Sequence, residues 1–434
     1  MNVLKAWAVV ALAAGLGAAA VVHPATVPSP RTDSFAVAPM PAQAVCPGPQ
    51  RLPVGDQGGS GDLAAGTDDR MATDVGVGGS LPVGHGRAWD SPVAGAWEVV
   101  NDGDLQGIAA VTCQVAARDV YLVGGSTSVG ASTRLVLSNA AAAPSEATVT
   151  VYGPLGQATD AFTVAVGSHS QEERLLEAVA GQQSGLVVHV VSTGPGVSAV
   201  LQDARLDGFQ PAGAEWVAAT QPASRLVIPA VGSAVEGSWV TVRLFAPDGA
   251  VASVSLVTSS GVQAWSGARA LTLEPGVVTD VQVPAPGPGA VEITADAPLV
   301  AGAMTTVPRA ADEGSEGAVA ADLMWVAGMP DEAAPRAVVV PAPGGRLAVY
   351  SQVGGTAVFT DAQGVTVASV RVPARTVVLS AVDVPVGTML TLDGPFAWAL
   401  TYATDEGYVA ALTPVEVGAE DHTVTVRGAP YGAS

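Results

Sequence analysis

The chain has a single lysine, Lys5, and only 18 basic residues against 39 acidic ones, for a net charge of −21 over 434 residues. A surface so poor in cations cannot neutralise a phosphate backbone, which argues against nucleic acid as a partner. Scattered over turns, the acidic residues serve solubility and repel non-specific contacts. Aromatic residues make up 5% of the sequence and charged ones 13%. The first is few for rows of exposed stacking platforms, and the second gives little support to long amphipathic helices. With two cysteines, Cys46 and Cys113, a zinc site lacks its remaining ligands.

Catalytic signatures are also missing. There is no H-E-x-x-H, and His23, His85, His169, His189 and His422 are dispersed, so no metal site is expected. There is no G-x-S-x-G elbow; Gly124-Gly125-Ser126-Thr127-Ser128-Val129-Gly130 reads as a turn whose glycines permit positive φ. Glu172 and Glu173 adjoin Arg174 in a polar stretch and do not define the opposed pair that glycosidic cleavage needs. Asn101-Asp102-Gly103-Asp104 lacks the full calcium ligand series, and Gly76-Val77-Gly78-Gly79 is not followed by a helix that could cradle phosphate. His189, within an alternating strand, reads as an edge side chain. Neither catalytic nor cofactor-binding residues are expected, and the chain reads as a non-enzyme.

What is abundant is Gly (51) and Pro (32) among Val- and Ala-rich runs, a composition suited to short strands joined by tight turns. The same phrase is spelled three times. A β-run headed by Arg recurs at Arg118, Arg225 and Arg336, a turn-closing Gly at Gly156, Gly261 and Gly364, and a turn Pro at Pro195, Pro298 and Pro395. A spacing of roughly 100 residues lets each copy bury its own core. Period-two runs such as Ala147-Thr148-Val149-Thr150-Val151-Tyr152 predict sheet strands. The expected fold is all-β, as tandem immunoglobulin-like β-sandwiches: residues 112–212, 213–310 and 322–426, with an acidic linker at 311–321 and a tail at 427–434.

Ahead of the repeats, residues 6–22 are uncharged and apolar behind Lys5. They read as an export signal-anchor helix at the lower limit for spanning a bilayer, or as a cleaved signal peptide, within a segment 1–22. Residues 23–45 read as a Pro/Ala-rich spacer, and 46–111 as a Gly/Asp-rich segment packed on the first repeat. An exported chain with an even cysteine count favours a Cys46–Cys113 disulfide over two buried thiols. Trp216 and Trp325 hold repeated positions, in Trp216-Val217-Ala218-Ala219 and Trp325-Val326-Ala327-Gly328, and read as packing at domain junctions or as glycan contacts.

Cys46-Pro47-Gly48-Pro49, the run Gly107-Ile108-Ala109-Ala110-Val111-Thr112-Cys113, and Gly124-Gly125-Ser126 leading to Arg134-Leu135-Val136-Leu137-Ser138-Asn139 together resemble the actinobacterial family known as domain of unknown function 5719. The resemblance covers nearly all of the chain beyond the anchor. It departs from the family pattern at Tyr121, where Trp is usual, and at Asn139-Ala140, where Asn-Pro is usual. It implies an exported or membrane-tethered protein with no assigned activity, often encoded near a large membrane glycosyltransferase. The expectation is therefore an extracytoplasmic cell-envelope scaffold, secreted or anchored in the membrane through 6–22. Its partners would be envelope proteins or glycans, that glycosyltransferase among them. The alternative is a glycan-binding accessory module for surface polysaccharide assembly.

Overall fold

The computed structural model describes residues 32–37, 42–51, 70–102, 105–208, 210–263, 268–283, 287–310, 320–418 and 422–427. These are almost wholly β, with one helical turn at Glu177–Ala180. Strands form where the sequence alternates. In Ser145–Gly153, Ala147, Val149 and Val151 are buried while Glu146 and Thr148 are exposed, the mark of a sheet with one wet face. The chain divides into two compact units, Met1–Met40 with Ala419–Ser434, and Pro41–Gly418. In the first, Thr32–Val37 pairs antiparallel with His422–Arg427, Thr32 opposite Arg427. The stretch read as a spacer, 23–45, thus holds this strand and the start of another, Ala44–Cys46, and the expected anchor at 6–22 lies outside the described residues. Among the described residues, no helix is long and apolar enough to cross a membrane.

In the second unit each repeat is a pair of facing sheets. In the first copy, Ser170–Leu175, Ala131–Asn139, Ser198–Asp207 and Gln210–Val217 form one sheet in that order. Opposite lie Gly156–Gln157, Ser145–Gly153, Val187–Ser192, Asp119–Val123 and Ala219–Thr220, with Phe162–Val166 also paired to Ser145–Gly153. Leu135, Leu137 and Leu201 of one sheet meet Leu122, Val149 and Val188 of the other. The third copy repeats this order. Thr376–Ala381, Arg346–Ser351, Ala397–Ala403 and Val409–Leu412 face Thr366–Val372, Gly355–Thr360, Met389–Leu392, Arg336–Val339 and Val415–Glu416. The second copy has the same plan with one change: Gly289–Arg309 is a single 21-residue strand serving both sheets. Its first part pairs with Ala223–Val231 and Ala250–Thr258, and from Val300 onward it pairs with Trp239–Phe245 and Ala320–Ala327.

The repeated residues fall at equivalent places. Arg225 and Arg336 lie in the first strand of their copies and Arg118 just before it. Gly156, Gly261 and Gly364 take positive φ of 100°, 108° and 76° in matching turns, a conformation costly for a residue with a Cβ. The tryptophan phrases, in contrast, close a copy instead of opening the next. Gln210–Val217 pairs with Ser198–Asp207, and Ala320–Ala327 pairs with the end of Gly289–Arg309. The limits expected at 212 and 321 therefore fall inside strands. The reason is a short strand that follows at once, Ala219–Thr220 or Met329–Pro330, and returns to the first strand of its own copy. Most of the expected acidic linker, 311–319, lies outside the described residues, as do the tail residues 428–434.

The region before the repeats follows the same wiring and is a fourth, reduced copy. Arg70–Gly76, Ala94–Asp102 and Leu105–Thr112 form one sheet; Ser80–Val83, Gly86–Trp89, Ala44–Cys46 and Gln114–Val115 form the other. Among the described residues the strand order matches that of the later copies with the outermost strand of each sheet missing. Pro92 sits between Gly86–Trp89 and Ala94–Asp102, as Pro195 and Pro395 sit between strands in their copies, while Pro298 lies inside Gly289–Arg309; the four stand 103, 103 and 97 residues apart. Its core is small, and the Cys46–Cys113 disulfide closes it. It packs on the first copy, where Ala94, Ala96 and Val111 meet Val136, Val200 and Trp216. It also packs on the third, where Trp97 lies 4.6 Å from Tyr402 between ring centroids.

The closing strand of each copy faces those of its neighbours. Leu105–Thr112 packs on Gln210–Val217, that strand on Ala320–Ala327, that on Val409–Leu412, and the last on Leu105–Thr112 again. Four sheet edges thus meet at one centre.

Candidate functional site

Edge strands carry backbone N–H groups with no ladder partner, and inside a protein such groups need acceptors. Two carboxylates supply them. Glu215 Oε1 accepts the N–H of Ala110 at 2.9 Å and that of Trp216 at 2.8 Å. Asp322 Oδ2 accepts the N–H of Val409 at 2.8 Å. Both side chains are wholly buried. Burial pushes Asp322 up to about 8 against the pull of its N–H donors and of Arg309. Burial also lifts Glu215 well above the usual carboxylate range, and the nearby Asp322 adds to the lift. Glycine lets the strands approach: a Cβ on Gly213 would lie 2.5 Å from Leu323 N, and one on Gly107 2.9 Å from Asp322 Oδ1. The centre is sealed, and Glu215 Oε1 and Asp322 Oδ2 face backbone N–H groups, so it fastens the copies.

Arginines at the junctions fasten the copies in pairs. Arg243 of the second copy holds Asp280 through Nε and Nη2 at 2.8 and 2.9 Å, and its Nη1 donates to Gly125 O at 2.7 Å in the first copy. The same guanidinium lies 5.3 Å from the centroid of Trp325, and Trp325 Nε1 donates to Asp203 at 2.8 Å. Arg309 lies over Tyr408 at 4.4 Å, donates to its hydroxyl at 2.9 Å and reaches Gln106 at 3.3 Å. A paired charge at a junction costs desolvation and in return fixes geometry.

One open feature is a cavity of about 390 Å³ in the fourth copy. Its walls are Ala72, Asp74, Ala96 and Glu98 from one sheet, His85, Arg87 and Trp89 from the other, the Gly48-Pro49 turn, and Trp216 from the first copy. Alternation puts Asp74 and Ala96, directly paired in register, on one face. Trp97 and Thr73 belong to the opposite face, where the Trp97 ring packs on Tyr402. The Trp89 indole lies over Gly76, where a Cβ would collide with it. Its Nε1 is buried and has no hydrogen-bond partner among the described residues. Burial raises Asp74 to about 6, with Arg87 pulling the other way. Glu98 Oε2 accepts the Gln50 N–H at 2.8 Å, and Arg87 Nη1 donates to Ser80 Oγ at 3.0 Å.

The residues singled out by sequence are thus separated. Trp216, 3% exposed, lines the cavity; Trp325, equally buried, lies in the junction between first and second copies. Cys46 and Cys113 are joined. His189 bonds Asp119 at 2.8 Å and stacks on Tyr121. Glu173 pairs with Arg134 at 2.6 Å and Glu172 with Arg174 at 3.2 Å. The side chains of Asn101 and Asp102 lie outside the described residues. Asp74, Trp89, Glu215 and Asp322 were not anticipated. For Trp89 the available signal was Pro92, which marks 86–102 as the same pair of strands and turn that is central to each later copy.

No curated protein and no solved structure matches the chain. A family profile described as a family of unknown function, DUF5719, matches residues 83–395, from the end of the strand Ser80–Val83 in the reduced copy to the turn at Pro395 in the last. With that match extending over more than half of the sequence, the chain belongs to this family of unknown function.

Proposed function

We propose that this protein is a non-catalytic scaffold of the cell envelope, working outside the cytoplasm, in which immunoglobulin-like β-sandwich modules are fastened into one body that offers loops and sheet edges to partners. The observation that carries this reading is the use made of the buried ionisable groups. Glu215, Asp322 and Arg243, all buried, join copies, and the half-buried Arg309 does the same. The disulfide suits an oxidising compartment, and residues 6–22 would export the chain or tether it. Envelope proteins and glycans are the proposed partners, with a membrane glycosyltransferase the first to test. Two measurements on the full-length protein check the reading. Protease applied to intact cells should remove it, and envelope polysaccharide and peptidoglycan fragments incubated with it should keep their masses. Protection from the protease, or any released product, overturns the proposal.

A further inference from the structure

We infer that the cavity walled by Asp74, Trp89 and Trp216 binds a neutral saccharide. This goes beyond the scaffold reading and does not depend on it. A volume of about 390 Å³ is at the small end of the roughly 300–1,000 Å³ typical of small-molecule sites, the scale of a mono- or disaccharide. The lining carries hydrogen-bonding capacity of both kinds. Asp74 has Arg87 as its only electrostatic partner among the described residues, and its carboxylate accepts. Trp89 Nε1 is buried without an acceptor, and it donates.

A sugar hydroxyl both donates and accepts, so one ligand satisfies the two groups together. A cationic ligand would leave the Trp89 N–H unmatched beside Arg87, and an anion would face Asp74 and Glu98. The Trp89 indole supplies the apolar part, with Trp216 behind it as a packed wall. Trp89 is held flat by Gly76, with no Cβ between them, and Trp216 is locked by the first copy. Rigid aromatic faces give contact area to the CH side of a sugar ring at little entropic cost. Trp325, whose N–H is already bonded to Asp203 and whose ring already carries Arg243, has no such part.

The test is saturation-transfer NMR and calorimetry on the full chain. The probes are glucose, galactose, mannose, arabinose, maltose and cellobiose, with choline and inorganic phosphate as charged counterparts. At least one neutral sugar should bind. Asp74→Asn and Trp89→Ala should each weaken it about tenfold, the loss of one good hydrogen bond or one stacking face. Trp89→Phe, which keeps an aromatic ring but loses the N–H, covers the case where the alanine variant fails to fold. Trp325→Phe should lower Tm and leave the affinity unchanged. Binding by none of the sugars, sugar binding that both Asp74→Asn and Trp89→Phe leave intact, or choline or phosphate binding in place of sugar overturns the inference. Hydrolysis of a bound sugar would overturn the scaffold reading alone.

Discussion

Replacing both Cys46 and Cys113 with alanine tests how the reduced copy is held closed. The bridge spans 67 residues, and loop-closure entropy for that length is worth about 4 kcal/mol. Little else could take over. Ala44–Cys46 and Gln114–Val115 are joined by only two paired positions, Ala44 with Val115 and Val45 with Gln114. Alanine is the right replacement because both cysteines are fully buried and serine would add an unpaired hydroxyl there. Urea unfolding followed by near-UV circular dichroism should show a loss of about 4 kcal/mol. Hydrogen exchange should place it first in the strands between 70 and 115. From there it should spread to Gln210–Val217 and Val409–Leu412, which Leu105–Thr112 touches. A loss below about 1 kcal/mol, near the background of an ordinary substitution, or faster exchange confined to the second copy, would refute the reasoning.

Two further outcomes concern the centre. The folded-state pKa of Asp322, about 8, stands above its unfolded value of 3.8, so the folded chain binds the extra proton and stability falls as pH rises through that window. From pH 4 to 8 the loss is on the order of 5 kcal/mol, and Glu215 adds in the same direction. Thermal unfolding across that range should show the decline, and Asp322→Asn should flatten it; a stability that rises over the window, or an unchanged slope in the variant, counts against the assignment. Gly213→Ala places a methyl 2.5 Å from Leu323 N at a φ of 100°, and should cost about 3 kcal/mol or more through strain and separation of the closing strands. A Tm within a degree or so of the parent would show that the strands part easily.

The all-β class and the repeat were legible because they rest on local signals. Period-two runs such as 147–152 and turn residues such as Gly156, Gly261 and Gly364 act within a few positions of the backbone they shape. The joining of copies was not legible, since it depends on contacts between residues far apart in sequence, 105 positions for Glu215 with Ala110 and 87 for Asp322 with Val409. In sequence these two acids look like any other turn carboxylates of an acidic chain. The tryptophan phrases misled for a related reason: Trp216 and Trp325 end a hairpin, and nothing within the phrase shows whether its strand pairs backward or forward. The reduced copy kept the Pro92 signal but lost the leading Arg and much of its core, so composition hid it. The cavity was out of reach because Asp74 and Trp89 come from different sheets, and Trp216 from another copy.

The unbroken strand Gly289–Arg309 has a mechanical consequence. In the first and third copies the path from one sheet to the other runs through an open turn at Pro195 or Pro395, and a tensile load can straighten that slack before any ladder gives way. In the second copy no slack exists. One backbone about 70 Å in contour length is stitched into both layers, so a pulling force has to shear two ladders together before this copy opens.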